Sequence, residues 1–310
     1  MLEIRGLVKR FGSFTALNGL DMAVEKGSIF GFAGPNGAGK TTTIKIMCGL
    51  LRADGGSIFA DGSDLTKDIC SIRTRIGYMP DFFGVYDDLK VSEYMDFYEG
   101  AYYIPYSERK TITDRLLDMV NLADKRNTYV DSLSRGMKQR LCLARSLVHN
   151  PDILILDEPV SGLDPLARME MKNILRRLGE GGKTIIISSH ILPELAQMCT
   201  HLGIISNGKM LTQGTVDEIL SISSTKRKIE VSVINGSSDL CTILRGNGLC
   251  GDVVDSENGV QFTFGGDDRQ LSALLGDITA AGIPVTAFGE IKNDIEDVFA
   301  KIAGGDEENA

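Results

Sequence analysis

One stretch constrains this chain more than any other: GPNGAGKTT, residues 34–42, directly behind the apolar run SIFGFAG (residues 28–34) and ahead of the helical pattern TIKIMCGLL. A buried strand that stops on glycine, turns through a glycine-rich loop and opens a helix is the context in which a phosphate-binding loop forms. Gly34, Pro35, Asn36, Gly37, Ala38 and Gly39 shape the loop so that backbone N–H groups and the positive end of the helix face phosphate oxygens. Lys40 is placed to reach the β/γ-phosphates, and Thr41, followed by Thr42, to hold Mg²⁺. Such a loop predicts an α/β fold.

Further along, ILILD (residues 153–157) and TIIIS (residues 184–188) are short, continuous apolar runs, the pattern of parallel strands covered on both faces. ILILDEP leaves Asp157 and Glu158 adjacent at the end of a buried strand, which is costly unless a cation compensates them. Mg²⁺ on Asp157 and a general-base role for Glu158 follow from that pairing. His190 ends the run TIIISSH, where an imidazole can donate to a γ-phosphate. His149 and His201 have no such setting. Asn207-Gly208, between two apolar runs, predicts a hairpin.

The order GPNGAGKTT, IGYMPD, LSRGMKQR, ILILDEP, SGLD, SSH resembles the ATP-binding cassette, the nucleotide-binding subunit of ABC transporters, over roughly residues 1–220. The resemblance implies a P-loop NTPase cassette with a mixed sheet core, an antiparallel β subdomain and a helical signature subdomain at about 82–150. It implies an ATPase that closes head to tail on a second cassette subunit, as homodimer or heterodimer, and drives integral membrane permease subunits. Under that resemblance Phe11 stacks on adenine, Ser134 and Gly136 serve the nucleotide of the opposite subunit, Asp164 communicates across the dimer, and His190 is a switch. Three positions depart from the family pattern: LSRGM carries Arg135 and Met137 in place of glycine and glutamine, and Asp81 stands where the family loop carries glutamine. Asp81 adds a carboxylate beside Mg²⁺ and the γ-phosphate. The Arg135 guanidinium either adds a charge-assisted contact at the mouth of the helix or faces solvent. Ser134 reads as a helix cap, and Gly136 as a place where a partner's phosphate approaches the backbone. The LSRGM signature, the acidic loop and a C-terminal domain ending in EDVF (residues 296–299) resemble the branch exporting drugs, antibiotics, lipids or polysaccharides.

At 310 residues the chain is long for one core, which predicts a second, smaller domain. SISSTKRK, residues 221–228, reads as the linker, and residues 229–303 as a βαββαβ, ferredoxin-like α+β domain. Its pattern includes a hairpin at Asn258-Gly259 and a last helix, NDIEDVFAKIAG, before a disordered acidic tail at 304–310. A net charge of −9 argues against a nucleic-acid binder. The absence of an apolar run near ~20 residues and of a signal-peptide core predicts a cytoplasmic chain, and the resemblance implies that it sits on the inner face of the membrane through its permease. Cys48, Cys70, Cys142, Cys199, Cys241 and Cys250 are scattered, which predicts free thiols rather than zinc or redox pairs.

Every tyrosine lies between Tyr78 and Tyr129, joined by Phe82, Phe83 and Phe97. That cluster suits either a groove for a permease helix or the core of the helical subdomain. Two further readings stand beside a transporter: a soluble mechanochemical ATPase of the same superfamily, acting in translation or DNA repair, and a nucleotide-binding regulator without turnover. The single cassette, without long heptad inserts, argues against the first, and Glu158 against the second.

Overall fold

The computed structural model describes residues 1–82, 84, 88–222, 227–256 and 259–291, without the side chains of 69, 70, 221 and 222. It divides into two compact units, Met1–Val216 and Asp217–Ala310.

In chain order the first unit begins with β1 (Leu2–Phe11), β2 (Phe14–Val24), β3 (Ile29–Ala33), α1 (Lys40–Met47), β4 (Gly55–Ala60) and β5 (Ser63–Asp64). There follow α2 (Ile69–Arg75), β6 (Ile76–Met79), α3 (Val91–Ala101), α4 (Tyr106–Met119), α5 (Arg135–Ser146), β7 (Ile153–Asp157) and α6 (Pro165–Glu180). The last elements are β8 (Thr184–Ser189), α7 (Leu192–Met198), β9 (His201–Ser206), β10 (Lys209–Thr215) and α8 (Val216–Ile222), which runs across the boundary between the units.

Six strands form the central sheet in the order β10-β9-β3-β8-β7-β6. All neighbours are parallel except β10, which returns against β9 through the predicted turn at Asn207 (φ 47) and Gly208 (φ 72). Positive φ at both turn residues matches the twist of the strands it joins. β3, β7 and β8 are buried at every position, so their apolar runs are satisfied only between two covering layers. A separate antiparallel sheet, β2-β1-β4-β5, closes on the same core through Leu7, Leu17, Leu20 and Ile58, which pack with Phe30, Ile44 and Ile155. The helical stretch is α3, α4 and α5.

The tyrosine cluster divides between the two readings. Tyr94 is fully buried beside Tyr98, with ring centroids 5.0 Å apart, while Phe82 and Tyr103 are 90% and 93% exposed. Phe83 lies outside the described residues.

The second unit contains β11 (Arg227–Val233), α9 (Ser237–Gly246), β12 (Cys250–Ser256), β13 (Gly259–Phe264), α10 (Asp268–Ala280) and β14 (Val285–Ile291). The sheet order β12-β13-β11-β14 is antiparallel throughout, the arrangement of a ferredoxin-like βαββαβ unit. Ile229, Val231, Val260, Phe262 and Phe264 face Leu240, Leu244, Leu274 and Ile278 of the two helices. The capping box of α10 is complete: Asp267 accepts from the Gln270 amide at 2.8 Å, and Gln270 accepts from the Asp267 amide at 2.9 Å.

The linker as read from sequence needs correcting at both ends. Residues 221 and 222 finish α8, and Arg227 and Lys228 open β11. Arg227 is held in the sheet by Glu290 on β14 at 2.8 Å and by Asp268 at 2.6 Å, so its charge is paired across strands rather than solvated in a loop. Residues 223–226 and Asn258, the helix expected over NDIEDVFAKIAG with its EDVF, and the acidic tail expected at 304–310 lie outside the described residues. The thiols of Cys48, Cys142, Cys199, Cys241 and Cys250 are free; burial pushes that of Cys142 up to about 11.

Candidate functional site

The C-terminal ends of the buried parallel strands converge on one cleft. β3 delivers the glycine-rich loop, β7 delivers Asp157 and Glu158, β8 delivers Ser188 and Ser189 ahead of His190, and Asp81 lies two residues beyond β6. The cleft, about 310 Å³, is lined by Phe11, Pro35, Asn36, Gly37, Gly39, Lys40, Thr41, Thr42, Asp81, Asp157 and Glu158, and also by Phe14 and Ala16.

Loop and helix meet at Gly39, whose φ of 110° belongs to glycine. A Cβ there would lie 2.7 Å from Leu17 and 2.9 Å from the Ala16 carbonyl, so the position admits no side chain for a second reason. Gly34 and Ala38 are buried beneath the loop. The Lys40 ammonium donates to the Gly34 carbonyl at 2.5 Å and to that of Pro35 at 3.2 Å. Burial lowers its pKa from the ordinary lysine value, opposed by the charges of Glu158 and Asp157.

Asp157 is buried, and its carboxyl is pushed above the usual carboxylate range, chiefly by burial and also by the charge of Asp81. The Ser188 hydroxyl, donating at 2.5 Å, acts in the opposite direction, as do Lys40 and the Thr41 hydroxyl. Ser188 also fixes the next residue: the Glu158 amide donates to the Ser188 hydroxyl at 3.1 Å and to its carbonyl at 3.2 Å. Glu158 sits in the left-handed region at φ 51°, costly for a residue with a Cβ by about 1–2 kcal/mol and held there by those bonds. The His190 Nδ1–H donates to its carboxylate, 3.0 and 3.1 Å from the two oxygens.

The donor set fits a nucleotide with Mg²⁺. A hydroxyl and a buried carboxylate whose charge is only partly offset are hard oxygen ligands, and magnesium takes few of these from protein when phosphate and water supply the rest. Among the described residues no group of three or more His, Cys, Asp or Glu could hold a metal unaided. Thr41 and Asp157 are the residues that would hold the ion, with Asp81 at the mouth. Phe11, 48% exposed, leaves a ring open to a flat base, with the Lys9 ammonium 5.4 Å from its centre.

Ser134, Gly136 and Asp164 do not line this cleft. Ser134 caps α5, accepting from the Met137 amide at 3.3 Å, and Asp164 caps α6, accepting from Ala167 at 2.9 Å. Gly136 is buried inside α5, where an added Cβ would lie 2.9 Å from the Cβ of Ala167. Close packing on α6 therefore gives this glycine a reason within its own chain. Sequence reading missed Phe14, although the two-residue turn after Phe11 makes Phe11 and Phe14 a cross-strand pair. It placed Ser188 only as a neighbour of His190. Nothing local marks Ser188 as the residue that pins both acids of β7.

Fold and site define a P-loop nucleotide-binding cassette. The ABC transporter family model matches residues 17–161. The Nod factor export ATP-binding protein I of Ralstonia nicotianae is 32% identical over 305 residues, covering 98% of this chain and 94% of that protein. The linearmycin resistance ATP-binding protein LnrL of Bacillus subtilis is 29% identical over 98% of both chains. Among solved structures, the ADP conformation of an ATP-binding cassette of an ABC transporter matches with a TM-score of 0.66 at 26% identity, covering 72% of this chain and 95% of that one. The chain belongs to the ATP-binding subunits of ABC transporters.

Proposed function

We propose that this chain hydrolyses ATP, with Mg²⁺, to power an export transporter. Two cassettes close head to tail on two nucleotides and drive separate membrane-spanning subunits from the cytoplasmic face of the membrane. The observation that carries the reading is the state of Glu158: backbone fixed by Ser188, carboxylate held by His190, at the edge of a cleft containing Lys40 and Thr41. A carboxylate so oriented can take a proton from an attacking water. His190 keeps it aimed, and Lys40 neutralises charge on the terminal phosphates. Bound Mg²⁺ supplies Lewis-acid charge to the phosphate oxygens. Asp157 and Thr41 would hold it, with Asp81 at the mouth of the cleft. Phe11 and Phe14 flank the position of the base, and Asp164 relays closure between subunits.

Support for export comes from relatives that match along 98% of this chain, one named for Nod factor export and one for linearmycin resistance. The exposed aromatics Phe82, Tyr103 and Tyr106 offer a surface for a permease helix. The domain assignment follows the same reading: a cassette to about residue 220 and an accessory ferredoxin-like unit beyond it.

Purified protein is expected to release phosphate from ATP only with Mg²⁺. Glu158→Gln, which keeps the shape and removes the base, should slow turnover about 10³-fold and accumulate as an ATP-dependent dimer by light scattering. A Glu158→Gln protein that stays monomeric with ATP, beside a wild type without turnover, would reject the reading.

A further inference from the structure

Behind the cleft, the turn Ser161–Asp164 begins at Glu158 itself: the Ser161 amide donates to the Glu158 carbonyl at 3.1 Å, and that of Leu163 to Val160 at 3.3 Å. The first turns of α5 grip it from three positions. Gln139, 3% exposed, donates through Nε2 to the Ser161 carbonyl at 3.2 Å. Gly136 brings α5 against Ala167 and Leu163. Arg135 covers Gly162: a Cβ on that glycine would lie 2.5 Å from Cζ and Nη1 of Arg135 and 2.7 Å from Nη2. The guanidinium therefore fills the space that a side chain at 162 would take. Gly162 stands at φ +65°, which favours glycine and leaves its peptide face bare.

From this packing we infer that Arg135 is a positioning residue. Its planar guanidinium clamps the 161–164 turn to the N-terminal turn of α5, so that the segment carrying Ser134 and the segment carrying Glu158 move as one piece. Arg135 is exposed, and the flat face of its guanidinium lies over the Gly162 backbone. Resting on the head-to-tail reading above, the clamp lets a partner's nucleotide at Ser134 be felt at Glu158, whose carbonyl accepts from the Ser161 amide.

Arg135→Ala tests it in the full chain at two levels. Without nucleotide, hydrogen exchange at the Ser161 and Leu163 amides should quicken ~10-fold, with β7 unchanged; unchanged exchange at the turn overturns the clamp. With Mg²⁺ and ATP, kcat should fall ~10-fold while KM for ATP stays within about twofold, and cooperativity between sites should weaken. A raised KM with kcat intact would mean that the guanidinium binds nucleotide, and would overturn the assignment. Arg135→Lys keeps the charge without the plane, and should leave kcat as low as Arg135→Ala; full recovery would overturn the clamp. Failure of Glu158→Gln to dimerise on ATP would instead remove the head-to-tail reading, leaving hydrogen exchange to judge the clamp by itself.

Discussion

The two units bury their strands in opposite ways. β3, β7 and β8 of the cassette are buried at every residue, whereas β13 in the C-terminal unit alternates between half-buried and buried. A sheet covered on both faces can expose chemistry only where its strands end, so Gly34–Thr42, Asp157, Glu158 and His190 are forced together at one edge. The antiparallel sheet keeps a polar face, and its polar groups are satisfied along the strands: Glu230 accepts from Gln261 at 2.9 Å and from Ser256 at 3.3 Å. Left-handed Glu158 and buried, cation-seeking Asp157 belong to the first arrangement, where packing over-determines what local preference resists.

Substitutions can break this comparison from either side. Phe262, 1% exposed in the small core of the second unit, should cost about 3–5 kcal/mol as Phe262→Ala. In calorimetry that loss should lower one unfolding transition and leave ATP binding by the cassette intact. A single merged transition would show that the units are one cooperative body.

Gly136→Ala should destabilise the nucleotide-free chain by about 1–3 kcal/mol, because the new methyl must push α5 off Ala167. If stability is unchanged while turnover drops, the glycine serves a partner's phosphate instead.

The smallest effect is the most diagnostic in sign. Asp157→Asn should raise stability without nucleotide, on the order of 1 kcal/mol, because it removes a carboxylate that the fold disfavours when ionised. That advantage is full above the raised pKa of Asp157 and is lost as pH falls through it and the wild-type side chain takes up its proton. Urea melts at several pH values check this. With Mg²⁺ and ATP the order should reverse, since the wild type alone offers the ion a carboxylate.

Much of this was legible before any tertiary information. Continuous apolar runs gave β3, β7 and β8, and the glycine-rich loop with its lysine and threonine gave the phosphate site. Asn207-Gly208 gave a hairpin, and period-two and helical patterns gave β11 to β14 with α9 and α10 between them. These features depend on residues near one another in the chain, where propensity and periodicity act directly. The start of β11 was misread because Arg227 and Lys228 look like solvent-facing linker until Glu290 and Asp268, distant in sequence, neutralise Arg227.

What the chain determined by itself is therefore the list of strands, the loop that binds phosphate and the acids that follow β7. Only the tertiary structure decided that Ser188 holds both acids, that Gly136 is there for Ala167, and that Arg135 lies across Gly162. Each of these joins two segments that no local pattern connects, and contact between them exists only once packing has fixed where the strands end and how closely the helices approach.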